Sequence, residues 1–226
     1  CVDSSPKQPL RYLPLYAGNS NITFQHIILT PPLITNLDPS NDNPCIILPP
    51  GLCVQEGVYT FEISLPVIDS SYHLVYQRCC RNSTVINILE PDETGATFTM
   101  ELTGEAQQLC NSSPVFNNFP PITICVNELL EYDASAVDAE GDQLIYELCA
   151  PLRGGSIFNT APFPDDPPPF EPVSYLVPDY SADNPLGANP SMSLDPRTGQ
   201  LSVTPAVSGQ FVVGICVSEF RNGVLL

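Results

Sequence analysis

Twenty-six prolines distributed along 226 residues constrain this chain more than any other feature. Proline fixes φ, has no backbone N–H to donate, and is excluded from helix interiors and central strands, so few windows can hold a regular helix. Together with 13 glycines, the prolines punctuate short apolar runs and show no collagen-like period, which predicts turns between many short strands. The expected fold class is all-β with little helix.

Nine cysteines (Cys1, Cys45, Cys53, Cys79, Cys80, Cys110, Cys125, Cys149 and Cys216) narrow the compartment. They form no C-x-x-C pair, and neither His26 nor His73 lies near a cysteine pair at ligand spacing, which argues against zinc. Disulfides formed under oxidising conditions fit better, with one thiol left over by the odd count. Between Cys45 and Cys53, the turn signal Pro49-Pro50-Gly51 predicts a local disulfide.

Period-2 alternation of Tyr59, Phe61, Ile63 and Leu65, and of Phe98, Met100 and Leu102, predicts half-buried antiparallel strands. Further strands are expected at 22–29, 72–77 and 85–89. These make a first sandwich-like domain over residues 1–113. The Pro/Asn-rich stretch 111–121 reads as a linker, followed by an Ig-like second domain over 114–226 with strands at 122–126, 129–136, 144–149, 201–204 and 210–220. A proline-rich insertion at 151–185, carrying Asp165 and Asp166 among five prolines between Pro162 and Pro169, is expected on the surface as extended loop and edge.

Strand parity suggests a second disulfide. Leu144, Tyr146 and Leu148 share one face, which leaves Cys149 on the other; Phe211, Val213, Ile215 and Val217 likewise leave Cys216 on the polar face. A bridge between Cys149 and Cys216 would close a loop of roughly 66 residues, worth about 4 kcal/mol in the loop-entropy model. Cys125, also in a strand of this domain, is the alternative partner.

Charge excludes some partners. Twenty-five acidic against seven basic residues give a net charge of −18, and there is no Lys/Arg cluster to meet phosphates, so nucleic acid is not expected. No apolar run approaches the roughly 20 residues of a membrane-spanning helix, so direct membrane insertion is not expected either. The N-terminus lacks a signal-peptide layout, which places any signal outside this chain.

Neither a G-x-S-x-G elbow nor an H-E-x-x-H helix is present, and both histidines fall inside strand patterns, so no enzymatic activity is expected. The turn Asp138-Ala139-Glu140-Gly141-Asp142 sets three carboxylates around a glycine, the oxygen-rich arrangement that calcium prefers, with Asp133 a possible fourth ligand. The same residues also suit a plain hairpin turn. The sequons at Asn21, Asn82 and Asn111 read as chance occurrences.

Six ordered motifs resemble a known group: Cys79-Cys80-Arg81-Asn82, Asn111-Ser112-Ser113-Pro114-Val115-Phe116, Ile124-Cys125-Val126-Asn127, the run from Ala136 through the acidic turn to Tyr146, Asp195-Pro196-Arg197-Thr198-Gly199, and Val217-Ser218-Glu219-Phe220-Arg221-Asn222-Gly223. Over roughly residues 75–226 the chain is similar to large secreted surface proteins of Bacteroidota, often labelled gliding-motility-associated or PKD-domain-containing, many of them exported by type IX secretion. The second domain alone also resembles the Ig or cadherin-like modules of bacterial adhesins. Members usually extend beyond both ends of this stretch, so the chain reads as a fragment of a longer protein.

The resemblance implies an extracellular location and contacts with other domains or copies of a larger, filament-forming surface protein. Two functions follow: a structural or adhesive module, or a carbohydrate-binding accessory module that stacks sugars on Tyr12, Tyr16, Tyr180 or Phe170. The absence of Trp weighs against the second.

Overall fold

The computed structural model describes residues 12–18, 20–37, 54–121, 123–187 and 192–226. Its first half contains β1 (Tyr12–Ala17), β2 (Thr23–Ile28), β3 (Leu33–Leu37), β4 (Val54–Val58), β5 (Tyr72–Arg78) and β6 (Ala96–Leu102), followed by the single-turn α1 (Gly104–Gln108). The Thr103 hydroxyl caps α1 by accepting from the Ala106 N–H at 3.1 Å. Four strands form an antiparallel sheet in the order β2-β1-β5-β6, while β3 and β4 pair separately.

Cross-strand partners lie on the same face of a sheet. Leu13, paired with Ile27, and Leu15, paired with Leu74, point to a face on which Tyr59, Phe61 and Ile63 pack. The alternation of residues 59–65 thus marks an extended segment lying on the sheet, not the ladder-forming strand that its pattern predicts. Among the described residues the segment joins no strand, and the flanking Pro66 has no N–H for a continued ladder.

The opposite face buries Pro14, Tyr16, Val75, Gln77 and Thr97, and the proline-rich insertion is what covers it. The Tyr16 hydroxyl donates to the carbonyl of Asp165. The Gln77 N–H donates to Asp165 Oδ1 at 3.0 Å, and the Asp166 N–H donates to Gln77 Oε1 at 2.8 Å. Thr97 donates its hydroxyl to the Arg153 carbonyl at 2.7 Å and receives Gln77 Nε2 at 3.0 Å. Gly154 sits so close that a Cβ there would lie 2.1 Å from Thr97 Oγ1. The expected surface loop is therefore, over residues 152–169, a second layer on the sheet. A proline-rich segment has few N–H groups to satisfy but keeps its carbonyls, and the polar residues of the sheet donate to them. The same packing buries Thr97 of β6, while Phe98 on the other face stacks on Tyr76 and is 62% exposed.

In the second half, β7 (Val115–Phe116) pairs with β9 (Ala136–Val137). β8 (Leu130–Asp133), β11 (Ser193–Leu194) and β12 (Gln200–Val203) make one sheet; β10 (Gln143–Cys149), β13 (Gly214–Arg221) and β14 (Val224–Leu225) make another. The two sheets face each other across buried Leu186, Met192, Leu201 and Val203, with Leu130, Tyr132, Leu148, Phe211 and Ile215 packed around them. All pairs in these sheets are antiparallel, so the fold is all-β. Residues 123–126 form no strand. Expected strand 85–89 is reduced to single bridges, Val85 to Gln210 and Ile88 to Tyr175.

Asn87 links the halves and is 0% exposed. Its Nδ2 donates to the carbonyls of Pro185 and Val212, each at 2.8 Å, and its Oδ1 accepts the Val212 N–H at 2.9 Å. Cys149 and Cys216 are disulfide-bonded, with Cα atoms 5.9 Å apart. Cys79 bonds to its neighbour Cys80, Cys125 is disulfide-bonded, and Cys110 is exposed and free. Cys1, Cys45 and Cys53 lie outside the described residues, and with them the predicted Cys45–Cys53 loop. Among the described residues no helix is long and apolar enough to cross a membrane.

Candidate metal centre

The acidic turn lies between β9 and β10. Asp138 Oδ1 accepts the N–H groups of Glu140 at 3.1 Å and Asp142 at 2.6 Å, and Gly141 takes a φ of +82° that L side chains rarely adopt. Backbone geometry thus accounts for one oxygen of Asp138 and for the glycine.

Register decides what the turn faces. Leu148 pairs with Ile215, Tyr146 with Val217 and Leu144 with Glu219, so Glu219 occupies the inward row of β13 immediately beyond its apolar members. Two residues before Leu144, Asp142 continues the matching row of β10, and two residues after Glu219, Arg221 continues that of β13. The interior of this sheet therefore ends in a charged layer.

In that layer, carboxylate oxygens of Asp138, Asp142 and Glu219 all lie within 4.8 Å of one another. Glu219 is 6% exposed, and its Oε1, like Asp138 Oδ2, is buried with no hydrogen-bond partner. Arg221 donates from Nε to Asp142 Oδ1 at 2.8 Å, from Nη1 to the Cys110 carbonyl at 3.1 Å and from Nη2 to Asn111 Oδ1 at 2.7 Å. It holds the Asp142 carboxyl below the usual carboxylate range, and Asp142 in turn raises Arg221. Burial pushes the Glu219 carboxyl up, as do Asp142 and the charge of Asp138, against a hydrogen bond from the Asn111 side chain. One guanidinium faces three carboxylates.

Two expected ligands lie elsewhere. Glu140 turns outward to accept from the N–H and the hydroxyl of Ser112, each at 3.0 Å, so it tethers the 111–121 stretch. Asp133 accepts the Ser135 N–H at 2.9 Å and Asn118 Nδ2 at 3.1 Å; these bonds, those from Ser135 foremost, keep its carboxyl low. Glu219 enters in their place. Its signal was available in the sequence, because a glutamate two positions after inward-facing Val217 must itself face inward.

The aromatic residues suggested as a sugar platform do not meet. Tyr16 is buried under the insertion, Tyr12 packs 5.5 Å from Phe163, and Tyr180 lies 6.2 Å from Phe211. Phe170 lines a polar groove of about 670 Å³ with Arg153, Glu171, Gln77 and Asn159. His26 stacks on Phe163 at 5.4 Å, a packing role.

No protein-family model matches the chain, and neither the curated proteins nor the solved structures compared with it contain a match.

Proposed function

We propose that the chain is an extracellular structural or adhesive module of a larger bacterial cell-surface or filament protein, built from two Ig-like domains and working by protein–protein or surface contact. One observation supports this reading above the others: the β10–β13 ladder is fastened at both ends. The Cys149–Cys216 disulfide closes one end, and Arg221 on Asp142 closes the other while also holding Cys110 and Asn111 of the preceding segment. Structural disulfides are common in oxidising compartments and rare in reducing ones, and a ladder pinned at both ends resists peeling of its strands. The dispersal of Tyr12, Tyr16, Tyr180 and Phe170 places the carbohydrate-binding alternative second.

Thiol trapping on intact cells of the source organism tests this. Cys149 and Cys216 of the native protein are expected to resist alkylation until a reductant is added, antibodies against the chain to label unpermeabilised cells, and deletion of the protein to reduce cell attachment. Free thiols at both positions, or labelling only after permeabilisation, would overturn the proposal.

A further inference from the structure

We infer that Asp138, Asp142 and Glu219 bind one calcium ion, which fastens the 138–142 turn to β13. The inference stands apart from the cellular role proposed above, because it concerns only what this charged layer holds.

The first support is the pair of orphaned oxygens. Asp138 Oδ2 and Glu219 Oε1 are both buried and without a donor, although buried polar atoms are almost always partnered. A proton shared between Glu219 and Asp142 would satisfy the glutamate alone and leave Asp138 Oδ2 unpaired. One cation between them satisfies both.

Charge is the second support. Arg221 is the only basic group in the layer, and its donors are already taken by Asp142, Asn111 and the Cys110 carbonyl. Neutralising one of three carboxylates leaves an excess of two negative charges, which a divalent ion balances.

Size and ligand chemistry select calcium. Oxygens on one calcium lie at about 2.3–2.6 Å from it, so opposite ligands are separated by up to about 5 Å, and the 4.8 Å limit on this cluster fits that sphere. Magnesium demands near-ideal octahedral geometry and gives up its water reluctantly, whereas calcium accepts the irregular set that a turn and a strand from separate parts of the chain provide. The cluster supplies only carboxylate oxygens, the hard ligands calcium takes, and water would complete its six to eight.

Isothermal titration of the whole chain, stripped with EDTA and then dialysed, tests the inference with calcium chloride and magnesium chloride as probes. One calcium per chain is expected, at a Kd of about 10⁻⁴–10⁻³ M as in other extracellular modules, and magnesium about tenfold weaker or more. At tenfold excess over Kd, calcium should raise Tm by roughly 3–6 °C. Asp138→Asn keeps the Oδ1 acceptor of the turn but replaces the orphaned oxygen, and Glu219→Gln removes the buried charge; each should weaken calcium by about tenfold or more. Glu140→Gln and Asp133→Asn should leave it within about twofold, since both side chains are engaged elsewhere. No heat and no Tm change up to 10 mM calcium would overturn the inference, as would unchanged binding in both Asp138→Asn and Glu219→Gln, abolition by Glu140→Gln, or equal affinity for magnesium.

Discussion

The second-half sandwich and the sheet face beneath the proline-rich insertion have different kinds of interior. In the second half, Leu186, Met192, Leu201 and Val203 form an apolar cluster between two sheets, whose stabilisation scales with area removed from water and has no direction. Beneath the proline-rich insertion the buried residues include Gln77, Thr97 and Asp165, each satisfied by a specific partner; Asn87, where the halves meet, is of the same kind. An apolar cluster tolerates a change of shape at similar volume, whereas a hydrogen-bonded layer fails when one member loses its chemistry. Directional bonds hold a segment whose Ile157, Phe158 and Phe163 stay largely exposed.

The sharpest way to break this contrast is Asn87→Leu, which is nearly isosteric and should nevertheless cost the most. It strands two carbonyls and one N–H in a site without solvent, at about 1–3 kcal/mol for each orphaned group. A loss of about 3 kcal/mol or more is expected from urea unfolding at pH 7. A loss below about 1 kcal/mol would mean that water or backbone movement replaces Asn87, and the contrast would fail.

Asp165 sharpens it through pH. Burial is the first cause that raises its carboxyl well above the ordinary aspartate range, to about 6, with the Gln77 N–H opposing and the charge of Asp166 adding to it. A carboxyl raised in the folded state favours the protonated form, so its stability is complete below the unfolded value and falls as pH rises from about 4 through 6. Asp165→Asn keeps an Oδ1 acceptor for Gln77 and cannot ionise. Relative to wild type, it should stabilise by about 2–3 kcal/mol at pH 8, with the difference vanishing near pH 4. Thermal melts at both values decide this, and a difference independent of pH would remove the burial argument.

The smallest effect belongs to the apolar cluster. Leu201→Met conserves volume and should cost less than about 1.5 kcal/mol, read from the denaturant midpoint at constant slope. A loss equal to that of Asn87→Leu would erase the distinction between the two interiors.

Some of this was legible in the sequence. The prolines implied short strands and little helix, and the fold is all-β, with one short helix among the described residues. Strand parity put Cys149 and Cys216 on one face, and they are bonded. Alternation in residues 59–65 identified the inward side chains but not that the segment joins no strand among the described residues, because period 2 records which side is buried and not which strand lies alongside. At β6 alternation put Phe98 on the face of Tyr76, on which it stacks, but did not mark Thr97, which is buried by hydrogen bonds with distant residues that local hydrophobicity does not encode.

The metal centre divides in the same way. The acidic turn, its glycine and the conformation they adopt follow from five consecutive residues, because the Asp138 oxygen and the positive φ of Gly141 are local matters. Register decided the rest: pairing Leu144 with Glu219 brought a distant glutamate inward beside Asp138 and Asp142, while Ser112 drew Glu140 away. Local chemistry is fixed by neighbours in sequence; which carboxylates share one buried space is fixed only when strands from separate parts of the chain align, and that alignment depends on packing across the whole sandwich.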